Sequence, residues 1–175
     1  WLVTLAAPVF AAISAFTQLP EQKASIPIYE AFFGDDTEAM GRMVAGYVVN
    51  PVFITTDWIQ WILAPAACIL AIIEWRPLRI SRGPGNWIRL LALLAALALV
   101  LIHNVGMGPR MASALDDYRE AAAANEPEQA KQAFAVFDRD HKLAETLLGI
   151  RGLLLVVAIG ASAGAVALEP RRGER

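Results

Sequence analysis

Apolar and polar residues are sorted into blocks along this chain rather than interleaved every few positions. The longest apolar block, Trp87 to Ile102, is interrupted only by Arg89. A bilayer core about 30 Å thick needs roughly 20 such residues in one helix. Further apolar blocks lie at Trp1 to Thr17, Val52 to Trp75 and Leu153 to Leu168. The pattern predicts an all-α fold in one domain, a four-helix transmembrane bundle with spans over about 1–17, 52–75, 87–106 and 147–168.

The polar blocks also read as helix in part. Beyond His103-Asn104 the sequence stays helix-forming from Met111 to Ala124, and Asn125-Glu126-Pro127 breaks it. Pro127 suits the first turn of the next helix, where its missing N–H costs nothing. Helices 3 and 4 are therefore expected to extend beyond the membrane as a helical hairpin over 107–146. Met111, Leu115 and Tyr118 should pack between Phe134, Phe137 and Leu143 in a simple solvated hairpin, the alternative being that the rest of it, including the run Ala121 to Ala124, is a docking surface. Gly106 to Arg110 reads as a hinge, bent by Pro109. Ahead of the second span, Pro20, Pro27 and Gly34 punctuate an irregular stretch in which Tyr29, Phe32 and Phe33 should lie at the membrane interface. Asp35 to Glu38 should start a helix, and Asn50-Pro51 should kink or break it.

Composition agrees with this reading. Of the 175 residues 57% are apolar and the mean hydropathy is +0.46, high for a water-soluble domain although two polar stretches dilute both values. The lone Cys68 excludes a disulfide framework or a cysteine-based zinc site within one chain. The net charge of −2 says little, but its distribution says more. Arg76, Arg79, Arg82 and Arg89 face only Glu74 between the second and third spans, and Arg171, Arg172 and Arg175 end the chain. The positive-inside rule puts both segments, and both termini, on the cytoplasmic side, with the hairpin outside, as in a bacterial inner-membrane protein. No basic cluster of the nucleic-acid-binding kind is present. The first residue is Trp1, so residues are missing upstream or the chain is processed. No cleavage site of small residues precedes the polar stretch, which weighs against a cleaved signal peptide.

Candidate chemistry is confined to ionisable residues near the outer end of the spans. Antiparallel pairing around the two turns brings Asp57, His103 and Glu145 within about one turn of the same height. Asp138, His141 and Glu145 share one helix face by their spacing of three and four. Asp57, His103, Asp138, His141 and Glu145 could then hold a divalent metal ion, or His103 and His141 a haem. The stronger reading is ordinary pairing inside the bundle, Asp57 with Arg151 and His103 with Glu145. No Gly-rich phosphate loop and no nucleophile elbow occurs. In the fourth span Gly152, Gly160 and Gly164 suggest close helix packing inside the bundle, or a homodimer contact as the lesser alternative.

Several short motifs point to a family. Ala7-Pro8-Val9-Phe10, Ala45-Gly46, Pro109-Arg110 and Phe137-x-x-x-His141 resemble, in order and spacing, the bacterial four-helix membrane proteins of domain-of-unknown-function group 4149, relatives of eukaryotic transmembrane protein 205. The chain departs from that pattern at Ala144 and Leu148, where the family usually carries serine and asparagine. The resemblance implies the four-helix fold and no particular reaction. The expected function is a non-catalytic accessory or scaffold subunit of a larger membrane complex, partnered by the lipid bilayer and other membrane-protein subunits. The alternatives are a metal- or haem-binding membrane protein and a small transporter or export helper.

Overall fold

The computed structural model of the chain describes residues 1–75 and 84–167. The arginines at 76, 79, 82, 171, 172 and 175, on which the orientation argument rests, lie outside the described residues, as does the start of the turn before Pro84. The described residues are all helical, with no strand. Helix α1 is Leu2–Glu21, a short α2 is Glu30–Phe33, α3 is Thr37–Trp75, α4 is Pro84–Leu101, α5 is Gly108–Ala123 and α6 is Pro127–Ala167. Four helical stretches are long and apolar enough to cross a membrane: Leu2–Glu21, Thr37–Glu74, Pro84–Ala123 and Pro127–Gly164.

α3 packs on α1 and α4, α6 packs on α4 and α5, and a contact between α1 and α6 closes the ring. The core is thin and made largely of small residues. Leu5, Ala96 and Leu155 form one cluster, joined by Trp1, Leu93, Leu148 and Leu154. Many large apolar side chains point away from it, among them Trp58, Ile62, Ile69, Leu70, Leu91, Leu153 and Ile159. In water such a girdle would drive aggregation. Against lipid tails it is matched to its solvent.

α3 begins where the acidic run predicts, with Asp36 Oδ1 accepting the Ala39 N–H at 2.9 Å. It then runs unbroken through Pro51 and Pro65. The expected break at Asn50-Pro51 is absent, because α1 and α4 hold the helix on either side and one lost backbone bond does not outweigh that packing. The break at Asn125 is real. Asn125 takes a left-handed φ of 56°, while its N–H reaches the Ala122 carbonyl and the Glu126 N–H the Ala121 carbonyl. That reciprocal pair caps α5, and Pro127 opens α6.

The segment between α1 and α3 does not lie flat. Tyr29 is buried with Met40, Met43 and Ala122, and Phe32, Phe33 and Tyr118 pack around them. The Tyr29 and Tyr47 hydroxyls hydrogen-bond, and the Arg119 guanidinium lies 3.9 Å above the Tyr47 ring. Ala121 and Ala122 are consequently covered, not presented as a surface. Between α5 and α6 the expected aromatic contact forms at Tyr118–Phe134, with ring centroids 5.1 Å apart. Leu143 instead points outward, and buried Ala114, Ala121 and Ala130 line the interior.

Candidate functional site

The site is assembled near midlength of the three long helical stretches. α3 supplies Thr56, Asp57 and Gln60, whose spacing puts them on adjoining faces of consecutive turns. The second strip comes from a π-helical turn, Ile102–Met107, between α4 and α5. Pro109 cannot donate to the carbonyl four residues back, and its ring would crowd that turn. The chain widens by one residue instead, and the Gly108 N–H bonds the His103 carbonyl. The bend expected from Pro109 therefore appears as a π turn one step earlier, and it carries His103 and Asn104. Such turns concentrate at functional sites. α6 supplies Arg151.

His103 Nε2 lies 3.5 Å from Asp57 Oδ2. That is longer than a good hydrogen bond and short enough for an ion pair when the imidazole is protonated. Arg151 is only 4% exposed, lies within Coulombic range of Asp57, and makes no ion pair within 4.0 Å among the described residues. Cys68 Sγ donates to the Leu93 carbonyl at 3.6 Å. That contact, with the Asp57–His103 pair, fixes the register of α3 on α4 and puts Gln60 level with Val100. The Ala96–Leu155 cluster fixes α4 on α6 and puts Val100 level with Arg151. All three are sealed, at 1%, 0% and 4% exposure.

Several polar atoms in this layer have no hydrogen-bond partner among the described residues. They are Gln60 Oε1, Arg151 Nε and both amide atoms of Asn104. Leaving buried polar groups unsatisfied costs about 1–3 kcal/mol each. A bundle that needed only packing would place leucine or alanine at these positions, as it does one turn away at Ala64 and Ala96.

The five residues singled out from sequence do not assemble. Asp57 and His103 meet, but Glu145 pairs with His141 at 3.2 Å and Asp138 with Lys142 at 2.6 Å, each along its own helix. His141 stacks on Phe137 with 14° between the rings. Among the described residues no three His, Cys, Asp or Glu side chains are grouped to hold a metal ion. The reason is helical phase. The inner stripe of α6 runs through Asp140, Ala144, Leu147, Arg151, Leu155 and Ala158, and Asp138, His141 and Glu145 fall off it. Asp140 is the acid that is buried, at 5% exposure, with Arg110 Nη2 2.8 Å away and Arg139 Nε at 3.1 Å. Its spacing of eleven from Arg151 was the available signal. Asn104 carried none, because its burial depends on the π turn. Gly152, Gly160 and Gly164 meet nothing within 4 Å of an added Cβ, so the close approaches inside the chain lie elsewhere.

Three comparisons with known proteins were made: against protein-family models, against curated proteins and against solved structures. None returned a match.

Proposed function

We propose that this is a small integral membrane protein that moves protons or a small solute, a transporter or export helper centred on Asp57, His103 and Arg151. The observation that carries the reading is Arg151, 4% exposed and without an ion pair among the described residues, in the apolar bundle and within Coulombic range of Asp57, whose carboxylate is loosely paired with the His103 imidazole. Ionisable groups at such depth are costly and mark ion or substrate pathways. A carboxylate beside an imidazole can take up and release a proton as its surroundings change.

In the membrane, α5 and the first half of α6 form the extramembrane hairpin, capped by the segment that carries Tyr29. The exposed charges of Arg139, Lys142 and Glu145 support that placement. The arginine-rich segments set the orientation, with both termini cytoplasmic, and the resemblance to the four-helix family of unknown function belongs to the same proposal. A second reading, an accessory subunit of a larger assembly, draws on exposed Phe134, Val136 and Leu143 on the hairpin.

Proteoliposomes with a pH-sensitive dye inside test the first reading. Vesicles holding the wild-type chain should dissipate an imposed proton gradient faster than empty vesicles, and Asp57→Asn should remove the difference. Equal rates in all three would sink it. Stoichiometric co-purification of another subunit from mild detergent would favour the second.

A further inference from the structure

One carboxylate in the polar layer serves two cations. Asp57 Oδ2 lies 3.5 Å from His103 Nε2, too long for a good hydrogen bond. Arg151 is buried with its Nε unpartnered, and Asp57 is within its Coulombic range. Buried charges are ordinarily paired. Arg151 leaves α6 at the level of Gln60, three residues from Asp57 along α3, or ~4.5 Å. Helical side chains lean toward the N-terminus of their own helix. In α6 that is the direction of α5 and of the Asp57–His103 contact, so Arg151 extends toward the carboxylate.

Among the described residues, no other charged group competes at this level. Residues 2–20 of α1 include no ionisable side chain, and Thr56, Gln60 and Asn104 are neutral. Cys68 lies about three turns inward along α3. Asp140 is about two turns farther out and pairs with Arg110 and Arg139. His141 and Glu145 pair with each other off the inner stripe of α6.

We propose that Asp57 changes partner with the proton. With a proton on His103 Nε2 the carboxylate holds the imidazolium, and when that proton leaves it turns to Arg151. The step forms and breaks one N–H bond and moves one side chain. Without the proton the layer is neutral, one carboxylate against one guanidinium. With it the layer carries one excess positive charge, which apolar surroundings penalise, so the proton is held in a form ready to leave. The inference rests on the transport reading for why protons reach the layer. It deepens that reading by naming His103 as the proton's site and Arg151 as the positioning residue that takes the carboxylate back.

The test is infrared difference spectroscopy on the purified full-length chain in mild detergent, carrying isotope-labelled arginine. Spectra are compared between about pH 5 and pH 8, where imidazole titrates. An arginine band should shift together with an imidazole ring band. Arg151→Lys, which keeps the charge, should abolish the arginine shift. His103→Gln should abolish it too, so a failure of Arg151→Lys to fold leaves the test intact. His141→Gln, on the Glu145 pair, should keep it. An arginine signal that ignores pH, or a shift that persists in Arg151→Lys or His103→Gln, would overturn the inference. The exchange without proton flux in proteoliposomes would keep the switch and remove transport. Proton flux with a silent arginine would do the reverse.

Discussion

All three tyrosines of the chain meet in the layer that caps the bundle, and they make its pH dependence readable. Burial, followed by the hydroxyl bond to Tyr47, pushes the Tyr29 phenol from 10.0 up to about 12. Burial also pushes Tyr118 up. A raised phenol favours the folded state while it stays protonated. Its contribution is therefore complete below pH 10 and lost as pH climbs through about 12. Tyrosinate absorbance should show delayed ionisation in the native chain, and the thermal midpoint in detergent should fall over the same interval. Ionisation at the ordinary tyrosine value would show that the cap does not bury Tyr29. At the turn, Asn125→Ala should cost about 1 kcal/mol because alanine tolerates the left-handed conformation poorly, and Asn125→Gly should cost nothing measurable.

At the scale of elements, the helix contacts are set by two close approaches. An ideal Cβ on Gly41 would lie 2.5 Å from Pro20 Cα, so α1 and α3 touch backbone to backbone there. A Cβ on Gly85 would lie 3.4 Å from the Ala161 carbonyl oxygen, joining the start of α4 to the end of α6. Gly41→Ala should force the helices apart and cost about 1–3 kcal/mol, read as a lower thermal midpoint. Gly160→Ala should leave the midpoint unchanged or raise it, since the new methyl meets nothing and alanine favours helix by about 1 kcal/mol. The reverse ranking would mean that the glycines of α6 face a partner. The helices themselves were legible because blocks of apolar residues report burial in lipid directly. The phase of α6 was not. Its outer half is polar all round, so spacing alone favoured the His141 face. Tertiary packing chose Asp140 and Arg151. Pro51 misled for a related reason, since neighbours on both sides carry α3 through it, and the π turn at His103 answers a proline six residues later.

Over the whole molecule, large apolar residues cover the outside, and Gln60, Asp140 and Arg151 are buried among the small apolar residues inside. Apolar surroundings match those outward side chains, in keeping with four helical stretches long and apolar enough to cross a membrane. The polar layer is costly to folding, and in the proposed function it is kept for what it passes. Gln60 separates the two roles, because its amide is sealed and its Oε1 unpartnered. If the layer serves function, Gln60→Leu should raise the thermal midpoint, removing an unpaired polar group worth about 1–3 kcal/mol, while slowing proton flux in proteoliposomes. A lowered midpoint with undiminished flux would contradict the account and make the layer a structural joint.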